Sequence, residues 1–186
     1  MRMKLHFVQL MYILIMLSGC GDALSDYETN DIHPLGIDDK ICLTLNEKQS
    51  INANIFINED SLTFKDLYEQ HSIDTNLVIS PTEEHHWSIS IDSTSYFMLN
   101  ASEIANSYFV ALDVSSELKL YSESGNLIAP INDKISLQNV AGCSNIRVRQ
   151  VYSGLNGLYL ANINNPNVTI VNLIFINDNV SMIENQ

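Results

Sequence analysis

Glu83-Glu84-His85-His86 is the densest run of chemistry-bearing side chains in this 186-residue chain. Two imidazoles and two carboxylates are the donor types that hold zinc, with His71 or His33 available as a further ligand. Neighbouring residues on a strand point to opposite faces, so His85 and His86 would chelate one ion only from a loop. No His-Glu-x-x-His motif or paired-cysteine spacing accompanies them. The plainer alternative is a pair of surface histidines where a strand through Trp87 begins. Serines are plentiful, but none stands in a Gly-x-Ser-x-Gly elbow. His71 and Asp74 have no identified nucleophile to join, and Asp38-Asp39 falls in a polar stretch with nothing to perturb it. The chain therefore reads as a non-enzyme. Its aromatic residues offer different chemistry. Trp87, Tyr96, Tyr108, Tyr121, Tyr152 and Tyr159 could form a platform for carbohydrate or a protein partner, although most such rings belong in a core. Tyr121 and Tyr152 are the two expected to face outward.

The cysteines are the remaining reactive groups. Arg2 and Lys4 precede an apolar run from Phe7 to Leu17, and Ser18-Gly19 then lead into Cys20. This is the layout of a secretory signal peptide. The apolar run covers about a dozen residues, well short of the ~20 that a spanning helix needs. Leu17-Ser18-Gly19-Cys20 resembles the lipobox of bacterial lipoproteins. The resemblance implies cleavage after residue 19 and lipidation of Cys20 as the first mature residue. The chain would then be tethered to a membrane, because each buried methylene of an acyl chain adds about 0.8 kcal/mol. Gly21 rather than Asp follows the cysteine, which in enterobacterial lipoproteins favours the outer membrane.

With Cys20 assigned to lipid, Cys42 and Cys143 remain. An even pair in an oxidising compartment reads as one disulfide, the alternative being two separate buried thiols. Such a bridge would close a loop of roughly 100 residues and add roughly 4.7 kcal/mol in the chain-entropy model.

Charge narrows the partners. Loss of Arg2 and Lys4 from the nine basic residues, against 22 acidic ones, leaves 7 and 22 in the mature chain, a formal charge of −15. That balance argues against nucleic acid and against docking on anionic lipid, both of which need basic patches. Calcium is the ion such an acidic surface would favour. Asn100-Ala101-Ser102, Asn167-Val168-Thr169 and Asn179-Val180-Ser181 match glycosylation sequons, incidental in a bacterial lipoprotein.

The elements that must position these groups are mostly strands. Residues 20–39 are polar and acidic and read as a flexible tether, so the domain is expected at 40–186. Ile41, Leu43 and Leu45 alternate as a first strand with Cys42 opposite; Ile51 to Ile57 forms a second. Ser61 caps a short helix within 61–71. Strands follow at Leu77–Ile79, at Trp87, Ile89 and Ile91, and at Tyr96–Leu99. Tyr108, Val110, Leu112 and Val114 alternate, Ser115-Ser116 turns the chain, and Leu118 and Leu120 continue beyond it. Ser124-Gly125-Asn126 is a turn. Ile135 and Leu137 follow, then Ile146 and Val148, with Arg147 and Arg149 facing outward. Asn156-Gly157 is a common type I′ hairpin pair. Asn164 to Asn167 turns again into Val168–Ile176, which is apolar on both faces and expected in a sheet centre. About eight short strands with regular turns predict an all-β, antiparallel β-sandwich with jelly-roll character.

Tyr108–Val114, Leu118-Lys119-Leu120-Tyr121, Gly125-Asn126 and Gly157-Leu158-Tyr159 together resemble the bacterial pre-peptidase C-terminal type of β-sandwich. The likeness covers about a third of the chain and implies a sandwich fold. The family is usually appended to a secreted hydrolase, which this chain lacks, and the acidic calcium cluster of some relatives has no counterpart here.

These features lead to one expectation: a lipid-anchored, exported, non-catalytic binding or accessory component of the bacterial cell envelope, with an envelope protein as partner. The alternatives are a calcium- or carbohydrate-binding adhesion module and a small secreted hydrolase.

Overall fold

A computed structural model describes residues 36–57, 62–72, 78–91, 95–131, 135–138, 142–165 and 167–178. The expected signal segment, Cys20, the expected tether as far as residue 35 with His33, Ser61, Asp74, Leu77 and the Asn179 sequon lie outside the described residues. Two helices and eleven strands are described: α1 (Ile37–Glu47), β1 (Gln49–Asn52), β2 (Phe56–Ile57), α2 (Phe64–His71), β3 (Val78–Ile79), β4 (His85–Ser90), β5 (Ser95–Ala101), β6 (Ser107–Leu112), β7 (Leu118–Tyr121), β8 (Leu127–Ile128), β9 (Val148–Ser153), β10 (Gly157–Ile163) and β11 (Ile170–Asn177). Neither helix is long and apolar enough to cross a membrane.

The strands form a β-sandwich. One sheet runs β1-β4-β11-β6-β9, the other β2-β5-β10-β7-β8 with β3 also on β5. Eight strands have four or more residues, and β2, β3 and β8 are two-residue additions. Pairing is antiparallel except at β1–β4 and β3–β5. Alternation works as the sequence predicts: Tyr108, Val110 and Leu112 point inward to meet Phe97, Leu99, Leu118 and Leu120 from the facing sheet. Tyr108 stacks on Phe175 with centroids 5.6 Å apart, and its hydroxyl donates to the carbonyl of Glu103. β11 is central, as its two apolar faces require. Val171, Leu173 and Phe175 enter the core, while Ile174 and Ile176 face away from it.

The turns fall where the sequence places them, but the expected hairpin at Asn156-Gly157 is not one. Ser124-Gly125-Asn126 is a hairpin, joining β7 to β8 within one sheet. Gly125 has φ +79°, and a Cβ there would lie 3.1 Å from Phe64 Cβ, so glycine serves both the turn and the close approach of α2. Asn156-Gly157 is no hairpin. It carries the chain from β9 in one sheet to β10 in the other, and Ser115-Ser116 and Asn164–Asn167 also cross between sheets. The Ser116 hydroxyl donates to the Asn164 carbonyl at 3.0 Å and so ties two of these crossings together. Sequence reports that the chain turns; which strands the turn leaves side by side depends on distant pairing.

The predicted first strand is α1. Ile37, Ile41 and Leu45 recur every four residues, and this stripe, with Cys42, buries against Ala111, Ile174 and Ile176 on the outer face of the β11 sheet. The alternation of Ile41, Leu43 and Leu45 misleads because the first turn of the helix, Ile37 to Asp39, lies in the stretch assigned to the tether. Asp38 and Asp39 in that turn suit the helix dipole. Ile51 to Ile57 is also not one strand: β1 pairs with β4, the chain crosses at Ala53–Ile55, and β2 pairs with β5. α2 falls within the predicted 61–71 window, but Thr63 is its cap, accepting from the Asp66 N–H at 3.3 Å. Leu67 of α2 buries against Met98 and Leu160 on the outer face of the second sheet.

Candidate binding site

Cys42 and Cys143 are joined by a disulfide, Cα–Cα 5.1 Å. It fastens α1, not a first strand, to the loop before β9. Two ion pairs reinforce it. Arg149 Nε meets Asp38 Oδ1 at 2.8 Å, and Lys40 Nζ meets Glu83 Oε1 at 2.8 Å. Arg149 therefore does not point into solvent; its side chain is 12% exposed beneath α1 and lies 5.9 Å from the Phe109 ring centroid. Arg147 is exposed as predicted.

The structure separates the Glu83–His86 cluster. Glu83 serves the ion pair with Lys40. Glu84 caps a bend, its N–H donating to the Thr82 hydroxyl at 3.1 Å. His86 turns to the α1 side, where Nδ1 donates to the Thr44 carbonyl at 3.3 Å. His85 faces the opposite way, edge-on to Trp87 with centroids 4.7 Å apart. Strand alternation thus parts the two imidazoles. His71 belongs to α2. Among the described residues, no three His, Cys, Asp or Glu side chains converge as a metal ion would require. His85 Nε2 and Trp87 Nε1 are buried without hydrogen-bond partners. Burial holds the His85 imidazole below its usual value, with Glu84 opposing the shift and His86 adding to it.

Of the two tyrosines expected outside, Tyr152 is in the core at 1% exposure. It shares strand parity with Val148 and Gln150, which also point inward. Its hydroxyl donates to the Leu118 carbonyl at 3.3 Å, and burial pushes its pKa up. Gln150 completes this edge of the sandwich: Oε1 accepts from the Leu118 N–H at 2.9 Å and Nε2 donates to the Leu118 carbonyl at 3.3 Å. Tyr121 is on the outer face of β7, half-buried under the Phe64 ring at a centroid distance of 4.3 Å.

Tyr121 leads to the feature that sequence reasoning missed. The outer face of the second sheet is paved with rings: Phe56, Phe64, Tyr68, His71, Tyr96 and Tyr121. They come from β2, α2, β5 and β7. His71 stacks face to face on Phe56, centroids 3.6 Å apart with planes 11° apart, and Tyr96 follows at 6.2 Å from Phe56. Burial holds the His71 imidazole below its usual value and pushes the Tyr68, Tyr96 and Tyr121 phenols up, with Glu123 and Tyr159 adding to the shift at Tyr68 and Tyr121 at Tyr96. Ile57, Leu62 and Leu127 remain exposed in the segments that carry or flank this layer. Beside the His71–Phe56 stack is a cavity of about 130 Å³ lined by Asn54, Ile55, Phe56, His71 and Met98. The only sequence signal was the recurrence of aromatics near 56–71, and periodicity within one element cannot show that four elements pool their rings.

In comparison with known proteins, the chain matches no family model, no curated protein and no solved structure.

Proposed function

We propose that this chain is an exported lipoprotein, held through Cys20 to a bacterial membrane, with the outer membrane favoured, and that its β-sandwich is a non-catalytic binding or accessory module of the cell envelope. The Cys42–Cys143 bridge carries the reading. It consumes two of the three cysteines, leaves Cys20 to the lipobox resemblance, and is a cross-link that belongs in an oxidising compartment. The ring-paved face supports the binding role, since aromatic side chains give large contact area at low entropic cost. A resemblance to the pre-peptidase C-terminal sandwiches forms part of the same proposal; it rests on the sequence pattern at Tyr108–Val114, Leu118–Tyr121 and Gly125-Asn126, while Gly157-Leu158-Tyr159 does not follow the hairpin that pattern calls for.

Mass spectrometry of the mature N-terminus tests the anchor: an acylated Cys20 is expected, and an unmodified residue there would remove the basis for the localisation. Affinity isolation of the lipidated protein from its own membrane tests the role. A stoichiometric envelope protein is expected, and one whose capture survives Phe64→Ala and Tyr121→Ala together would move the contact away from the aromatic face. A clean isolation without any partner would sink the accessory reading.

A further inference from the structure

The cavity beside His71 exists because two strand fragments share one edge of β5. β2 covers Ser95 and Tyr96, β3 covers Met98 and Leu99, and the chain arrives from the other sheet through Asn54 and Ile55 at the join. The seam cannot be filled by regular pairing, and the last turn of α2 sets His71 over it. Its volume, about 130 Å³, is close to the about 150 Å³ of an apolar protein cavity that admits benzene. The space is therefore ring-sized. Ile55, Phe56 and Met98 give it an apolar wall, and Asn54 and His71 give it two polar groups that hydrogen-bond to no other described residue. A carboxamide and a neutral imidazole each donate and accept, but neither carries charge. Among the described residues, no Lys, Arg, Asp or Glu lines the cavity, and the chain's net charge of −13 repels anions.

We infer that this cavity is a binding site for a small, uncharged, single-ring compound bearing one hydroxyl or amide, with its ring against Ile55, Phe56 and Met98 and its polar end toward Asn54 and His71. A polyhydroxylated sugar ring is a poor occupant, because two polar side chains cannot partner a hydroxyl on every carbon and the remainder would be stranded against an apolar wall. The site goes beyond the anchoring and accessory role, and either can fail without the other.

Met98 supplies the readout. The full chain, labelled at its methionine methyls and embedded in lipid nanodiscs, is titrated with cyclohexanol, p-cresol, glucose and benzoate; Met98→Leu assigns the resonance. Saturable shifts of the Met98 methyl with cyclohexanol and p-cresol are expected, with none from glucose or benzoate at equal concentration. Asn54→Ala, at an exposed position, should weaken p-cresol about three- to tenfold, the worth of one hydrogen bond. His71→Leu should do the same while leaving the fold intact by circular dichroism. The inference is overturned if neither neutral ring gives a saturable shift, if benzoate or glucose binds as well as cyclohexanol, or if both variants bind p-cresol with unchanged affinity.

Discussion

α1 and α2 cover opposite faces of one sandwich and are held by opposite means. α1 lies on aliphatic side chains and is fixed by a disulfide, two ion pairs and the His86–Thr44 hydrogen bond. α2 lies on rings, has hydrogen bonds only at its own caps (Thr63 with Asp66, and Ser72 N–H to the Tyr68 carbonyl), and has no cross-link to its sheet among the described residues. The difference shows where the fold spends its polar groups. Beneath α1 they are paired with one another, which makes that face structural. Beside α2, Asn54 and His71 are left with capacity for something else. A face that has satisfied itself is a poor recognition site, and a face that has not is a good one.

The largest effect that would test this contrast is loss of the cross-link. Cys42→Ser with Cys143→Ser should cost roughly 2–4 kcal/mol of unfolding free energy, read by urea denaturation, and exchange should rise first in the amides of α1. An unchanged midpoint would mean that the ion pairs alone hold α1. Leu67→Ala comes next. It removes the buried anchor of α2, 2% exposed, and should cost about 2–4 kcal/mol while α1 exchange stays unchanged. If both helices loosen together, they are one cooperative unit and the comparison fails. Asp38→Ala strands Arg149 under α1. Half of that pair is solvated, so a loss of about 1–2 kcal/mol is expected, between exposed and buried pairs. Thr63→Ala should cost about 1 kcal/mol through the α2 cap.

Acid should act last and least. His71 and His85 sit below their ordinary value of 6.5 in the folded chain because burial disfavours the cation. The unfolded chain therefore takes up protons first as pH falls. The stabilisation is complete above about pH 6.5 and is lost progressively below it, toward the folded values. The single tryptophan, Trp87, lies against His85, so its fluorescence reports the His85 part directly. His85→Asn should abolish that transition and His71→Phe should leave it intact; the reverse result would place the titrating group on the α2 side.

What could be read from the sequence depended on how local each interaction is. Alternation from Tyr108 matches the inward face of β6 as far as Leu112, and the two-faced run at 168–176 matches the central place of β11, because one strand's parity records which of its faces are covered. The Cys42–Cys143 pair followed from counting. The same local signals failed where covering groups are remote. α1 was missed because its stripe begins in residues set aside as tether, and Arg149 was turned outward because nothing nearby announces a helix over β9. Tyr152 could have been placed from parity with Val148 alone. The cavity could not have been found, since Asn54–Phe56, His71 and Met98 meet only after β2 and β3 have both paired with β5.

The winding of the chain also sets an order of events. β11 lies between β4 and β6, and both pair with it. Until β11 is in place, its sheet is only two separate ribbons, β1–β4 and β6–β9. Among the described strands, β11 is therefore the keystone of its sheet, the one strand through which the two ribbons join. Strand partners this far apart in sequence make for slow, late formation.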